Sequence, residues 1–343
     1  MAYVPNYTIT NAVLRLIVRT EVAKEVITNS PLVPYWERQF QSQAIVRTVH
    51  HSTALEGNKL TEDQAKDVIK GEILPTARIR DVKEIVNYRK AIGIVSGIED
   101  IALTMGFVLN VHKILGLGIL PDKYLGCFRR RNAVILSSST GEVVFDPPPP
   151  DEIEPEMQDL IDWENNQTDN LNPLIKAGIL HFELVRIHPF ADLNGRTARL
   201  IATWSLYRDK FDINKYFSLE EYYDQNPAGY YNALDSANDG DLTNWLEYFI
   251  QGMAEEMEIV KNKVIEISKD RRFKTKVGQV ALNERQIKII QVIEENSEFT
   301  NPDFSQYFPH VSDDSILRDL KDLIDKKVII KKGKTKGAKY IMA

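Results

Sequence analysis

The stretch Arg186-Ile187-His188-Pro189-Phe190-Ala191-Asp192-Leu193-Asn194-Gly195-Arg196-Thr197-Ala198-Arg199 decides how this chain folds and what chemistry it can hold. An apolar helical run enters it from Leu180. Pro189 lacks an N–H and disfavours helical backbone in the residue before it, so the run stops and His188 is left at a helix end with its ring free. Phe190 is the apolar anchor of the loop that follows. Asn194-Gly195 opens a second helix, whose first N–H groups have no partner and whose dipole is positive at that end, so a phosphate fits there. Arg196 and Arg199 are three apart, leave one helix face and can fork onto phosphate oxygens. Asp192 adds a hard oxygen ligand for a magnesium ion that the phosphates would share. Read without this chemistry, the residues make a helix corner with two solvated arginines. A base, an acid, a turn and two arginines in one register favour the anion site.

The stretch resembles the Fic family signature, His-x-Phe-x-Asp/Glu-Gly-Asn-Gly-Arg-x-x-Arg, at every fixed position but one: Leu193 stands where the family has glycine. The resemblance implies transfer of AMP from ATP to a hydroxyl side chain of a protein. It makes His188 the base that deprotonates the hydroxyl and puts magnesium on Asp192. Leu193, Asn194 and Gly195 would cradle phosphate, with Arg196 on the β-phosphate and Arg199 on the γ-phosphate. A leucine in the glycine's left-handed backbone costs about 1–2 kcal/mol but keeps its N–H, so the anion site is expected to persist and to hold the α-phosphate less well, with slow transfer or a changed nucleotide preference.

A second resemblance lies upstream. Ser52-Thr53-Ala54-Leu55-Glu56-Gly57-Asn58 is similar to the Ser/Thr-x-x-x-Glu-Gly/Asn motif that precedes the core in one class of Fic proteins, where the glutamate pairs with the second signature arginine. Carried over, the motif from Ser52 to Glu56 is inhibitory: Glu56 binds Arg199, denies it to the γ-phosphate and holds the enzyme inactive. Without the signature downstream, Glu56 reads as a solvated helix end before a capping glycine. Asn226-Pro227-Ala228-Gly229-Tyr230-Tyr231-Asn232-Ala233-Leu234 resembles the Tyr-Tyr-x-x-Leu helix that follows the signature. It makes Asn226 and Tyr230 candidates for adenine contact, with core packing of the tyrosines as the alternative.

Composition bounds the rest. At 343 residues the chain is long enough for about two domains. Its 43% hydrophobic and 27% charged residues are ordinary for a globular protein, and a net charge of −6 argues against a general affinity for nucleic acid or membrane surfaces. Neither a signal peptide nor an 18-residue apolar run is read, so a cytoplasmic location is expected. Cys127, the one cysteine, excludes an internal disulfide and any cysteine-based metal cluster.

Helical spacing predicts elements at 11–28, 36–56, 61–70, 81–96, 99–115, 155–165, 171–187, 195–208 and from about 242 to 272. Two β-rich runs, Ala133 to Leu136 and Glu142 to Phe145, predict a hairpin. It sits where Fic proteins carry a flap that grips a target segment by strand addition, so the partner implied is a target protein held at 133–145. Pro147 to Pro150 read as an extended spacer. Beyond 276, three helices and two strands resemble a winged helix. Its wing is basic, but Asp313 and Asp314 open the presumed recognition helix and would repel phosphate, which disfavours DNA as a partner.

The fold expected is mainly α: an N-terminal helical segment at 1–107 with the inhibitory motif at 52–57, a Fic core with its β-hairpin flap at 108–255, a linker helix at 256–275 and a winged-helix α+β domain at 276–343. The activity implied is protein adenylyltransfer from magnesium-ATP to Ser, Thr or Tyr. A transcriptional regulator acting through the winged helix and an enzyme that removes AMP are the alternatives. A homodimer stays open.

Overall fold

The computed structural model describes residues 3–30, 32, 34–97, 101–136, 143–166, 171–211, 215–269, 282–296, 298–333 and 338–342. The expected hairpin turn at 137–141 and most of the expected wing turn lie outside them. The chain is mainly helical and divides into two compact units, residues 1–29 with 40–261 and residues 30–39 with 262–343. None of the helices described is long and apolar enough to cross a membrane.

The elements up to the end of the linker helix are α1 (Asn11–Asn29), α2 (Pro34–Ala54), α3 (Glu62–Ile69), α4 (Ile79–Val95), α5 (Met105–Gly116), β1 (Ile135–Leu136), β2 (Val143–Phe145), α6 (Pro150–Asn166), α7 (Pro173–Ile187), α8 (Asn194–Arg208), α9 (Leu219–Gln225), α10 (Pro227–Asp235) and α11 (Thr243–Lys269). Leu174 to Leu184 of α7 are buried without a break, Lys176, His181 and Glu183 included. Asn172 caps it by accepting the Leu174 N–H at 3.0 Å, and Pro173 supplies a pre-set first turn. α7 packs on α6 and α8, and α8 packs in turn on α4 and α5. Gly178 lets α11 close on α7: a Cβ there would stand 2.8 Å from Leu246, while the Trp245 indole N–H donates to the Gly178 carbonyl at 2.7 Å. Lys176, buried in α7, is neutralised by Glu164 at 3.6 Å and by Asp209, as a buried charge requires.

A capping box of Thr61 and Gln64 starts α3. Gly57, at φ 91°, ends α2: its N–H reaches Ala54 and that of Asn58 reaches Thr53. The helix expected from 99 begins only at Met105, because the Thr104 side chain caps it there by accepting the Phe107 N–H. Pro150 belongs to α6 rather than to the spacer, since a proline fits the first helical position. β1 and β2 are antiparallel, with Ile135 opposite Phe145 and Leu136 opposite Val143.

The C-terminal part holds α12 (Glu284–Asn296), β3 (Phe299–Thr300), α13 (Asn301–Tyr307), α14 (Asp313–Asp325), β4 (Ile329–Lys332) and β5 (Lys339–Met342). Its strands pair antiparallel in the order β3-β5-β4. Ile289, Ile293, Phe299, Phe304, Leu320 and Leu323 are among its core residues. This small sheet fits the α+β layout expected, with β3 added; two residues are too few to show a period of two.

Candidate active site

His188 ends α7 in a left-handed conformation, φ 48° and ψ 56°. Its Nδ1 lies 3.3 Å from the Val185 carbonyl oxygen. A carbonyl can only accept, so Nδ1 carries the proton and Nε2 keeps a free lone pair. Burial lowers the pKa of the ring; the Val185 contact and the carboxylates of Glu56 and Asp192 oppose this, and Arg129 adds to it. The net shift is downward, so the ring is a neutral base at pH 7.

The loop after His188 is fixed from three sides. Phe190, 1% exposed, stacks flat on His112, with ring centroids 3.8 Å apart. Burial pushes His112 down to about 4, so it is neutral. Its Nδ1 accepts the Gly126 N–H at 3.1 Å, which leaves Nε2 to donate to the Asp192 carbonyl at 3.2 Å. Asn194 accepts the Phe190 N–H at 2.8 Å and donates to the Phe190 carbonyl at 2.9 Å. The buried Arg129 guanidinium donates to the carbonyls of His188 at 2.8 Å, of Arg131, and of Pro148, so it rivets the base of the hairpin to the catalytic loop.

Leu193 keeps the left-handed backbone, φ 69° and ψ 15°, that a glycine would adopt freely. Its side chain is buried, and its N–H donates to Asp192 Oδ1 at 2.7 Å. The N–H expected to serve the phosphate loop is held here by the signature's own carboxylate. The first intrahelical bond of α8 is Thr197 N–H to Leu193 carbonyl, so the N–H groups of Asn194, Gly195 and Arg196 have no partner within the helix and lie at the positive end of its dipole.

Arg199 is fully buried and clamped by the N-terminal motif. Its Nε donates to Ser52 Oγ at 2.8 Å, and its Nη2 donates to the Ser52 carbonyl at 3.0 Å and to Glu56 Oε1 at 2.9 Å. Burial would lower its pKa, and Glu56 more than offsets that, so the guanidinium stays charged. Burial would likewise raise the Glu56 carboxyl, and Arg199 with Arg196 hold it below the usual range. Gly195 makes room for the pair: a Cβ there would stand 2.7 Å from Glu56 Oε1 and 3.2 Å from Arg199 Nη1. Arg196 pairs with Glu84 of α4 at 3.1 Å. Arg199 Nη1 and Arg196 Nε are buried with no hydrogen-bond partner among the described residues, so each arginine has a donor left for an anion.

His188, Glu56, Gly195, Arg199 and Tyr230 share the lining of one open cleft with Phe145 of the hairpin. Arg196 and Asp192 stand beside this cleft rather than in its lining. Tyr230 also belongs to the core: its hydroxyl lies 2.9 Å from His181 Nε2. Asn226 does not line the cleft; its side chain caps α10 by accepting the Gly229 N–H. Sequence reasoning missed Phe182, Val185, Tyr231 and Leu234, which line the cleft, because their spacing is that of any core-facing helix. It also gave no role to His112, Arg129 or Glu84.

Asp192, the expected magnesium ligand, has a side chain that is 46% exposed, with Oδ2 3.7 Å from Arg80. No group of three or more metal-ligating side chains occurs among the described residues.

Residues 102–206 match the model of the Fic/DOC family. A curated relative, protein adenylyltransferase fic-1 of Caenorhabditis elegans, is 28% identical over 217 residues, 62% of this chain and 40% of that protein. Protein adenylyltransferase Fic of Drosophila willistoni is 29% identical over 223 residues, with the same coverage. The chain thus spans about two fifths of the length of these relatives. A Fic family protein from Desulfovibrio desulfuricans G20 shares the fold at a TM-score of 0.70 and 24% identity, over 99% of this chain and 98% of that one. A Fic domain containing signaling protein from Bacteroides thetaiotaomicron VPI-5482 aligns at a TM-score of 0.63 and 25% identity, over 74% of this chain and 97% of that one. The signature loop folded between α7 and α8 lies inside the matched residues 102–206, and this part of the chain is similar to the Fic/DOC family.

Proposed function

We propose that the protein is an adenylyltransferase that moves AMP from magnesium-ATP to a Ser, Thr or Tyr hydroxyl of a target protein, and that Glu56 holds it inactive. The observation that carries this reading is the Glu56–Arg199 pair, set in the same cleft as the neutral His188. His188 Nε2 takes the proton of the incoming hydroxyl, whose oxygen attacks the α-phosphorus; the bond from that phosphorus to the bridging oxygen breaks, and pyrophosphate leaves. The chain's own contribution is positioning and neutralisation of phosphate charge by the α8 N–H groups, Arg196 and Arg199. Magnesium, held by Asp192, would neutralise phosphate oxygens. The β1–β2 hairpin, with Phe145 at the cleft, is suited to hold an extended target segment against the site by main-chain pairing.

Glu56 supports a second reading. Ionised and facing the cleft with His188, it could orient a water for removal of AMP from a modified protein. Incubating parent and Glu56→Gly proteins with α-labelled ATP and a lysate tests both. Label on protein with Glu56→Gly supports transfer with inhibition. No label with either, together with loss of a pre-attached AMP only when Glu56 is present, supports removal.

A further inference from the structure

Glu84 lies on α4, outside the signature, the inhibitory motif and the cleft lining. Its Oε1 receives Arg80 Nε at 3.0 Å and stands 3.1 Å from Arg196 Nη1, while its Oε2 receives Asn58 Nδ2 at 2.9 Å. Asn58 is itself tied down: its Nδ2 also reaches the Asp81 carbonyl, and its Oδ1 accepts the Leu60 N–H. Arg80 extends the row to Asp192, 3.7 Å away. Charges therefore alternate along Arg196, Glu84, Arg80 and Asp192. The tips of the signature's first arginine and of its acid, four residues apart in the chain, are joined through one Arg–Glu pair of α4.

The geometry points to Glu84 as a positioning residue that holds Arg196 ready for the β-phosphate, an inference that rests on the adenylyltransfer reading. The contrast with Glu56 decides between holding and blocking. The Glu56 side chain is 28% exposed and lines the cleft, so it can leave when Arg199 is needed elsewhere. Glu84 is 5% exposed and fixed by three donors, so it has nowhere to go. Glu84 occupies one nitrogen of Arg196, and the buried Nε has no partner among the described residues. A guanidinium carries five donors, so a carboxylate on one edge leaves others for an oxyanion. The same carboxylate keeps two adjacent arginines from repelling each other.

Calorimetric titration of ATP and AMP into Glu56→Gly protein tests this, because AMP has no β-phosphate for Arg196 to grip. Adding Glu84→Ala or Glu84→Gln should weaken ATP binding by roughly 10- to 100-fold, the scale of a mispositioned binding group. AMP binding should be unchanged, and Glu84→Ala on top of Arg196→Ala should cost nothing further. The Gln variant keeps the side-chain volume should the Ala variant fail to fold. Equal losses for ATP and AMP would make Glu84 merely structural and overturn the inference. ATP binding in Glu84→Gln as tight as before, or tighter, would overturn it too, and tighter binding would show a second block. Absence of ATP binding by Glu56→Gly itself would sink the nucleotide reading and this inference with it.

Discussion

The proton on Nδ1 of His188 sets what the ring can do. Because that nitrogen is committed to Val185, Nε2 is the basic atom, and burial keeps it neutral below the ordinary 6.5 of a histidine. The acid limb of the transfer rate should therefore lie below pH 6.5. His188→Ala should cut transfer by about 100- to 10,000-fold while nucleotide binding stays near the parent's, since other groups hold the phosphates. Rates and calorimetry on the same samples check both halves. Leu193 is legible as a departure but not as a solution. The sequence shows a side chain where a left-handed glycine belongs, and only the fold shows that the side chain is buried and the N–H taken by Asp192. Leu193→Gly would relieve about 1–2 kcal/mol of backbone strain and lose more than that in buried contact, for a net loss of about 1–3 kcal/mol. A denaturant midpoint shift to higher concentration, or faster transfer, would count against a fitted leucine.

At the scale of elements, α2 leads into Glu56 and carries the contacts that hold this segment to the core. Arg47 reaches Glu221 of α9 and, at 3.2 Å, Glu256 of α11, and His51 Nδ1 stands 2.8 Å from Asp224. Burial raises Glu256 to about 7; Arg47 pulls it down and Glu221 pushes it up. A carboxyl whose folded pKa is above its unfolded 4.5 binds its proton more tightly when folded, so its contribution is lost as pH rises from about 4.5 through 7. Glu256→Gln removes that loss. The Tm of the variant minus that of the parent should be more positive at pH 8 than at pH 5; a constant difference would mean that Glu256 does not titrate in this range. The helices α2, α7 and α8 were readable from spacing, a breaking proline and capping residues, because those signals are local. The cluster around Glu84 was not. Arg80 and Glu84, four apart on a helix, read as a solvated surface pair, and only the approach of α8 and Asn58 buries Glu84 as a hub while Arg80 stays exposed.

For the whole molecule, the sequence gives the helical core, the hairpin and the C-terminal α+β region through long periodic runs, whereas α9 and β3 were too short to show. The acidic helix α14 illustrates the same limit. Its charge pattern argued against DNA, yet two of its carboxylates serve the fold: Asp319 binds Asn283 and Arg285, and Asp322 binds Gln286 and Lys326. Asp313 and Asp314 stay exposed in its first turn, where a phosphate backbone would be repelled. The proposed inhibition turns on one contact between segments 143 residues apart, Glu56 on Arg199. The most direct measurement is the initial rate of labelled AMP incorporation by parent and Glu56→Gly proteins at equal concentration and saturating magnesium-ATP. Freeing Arg199 should raise the rate by about 5- to 150-fold, the usual span of a coupling between two sites. A rate that is unchanged or lower in Glu56→Gly, with ATP still bound, would contradict inhibition by Glu56 and assign that carboxylate to the reaction itself.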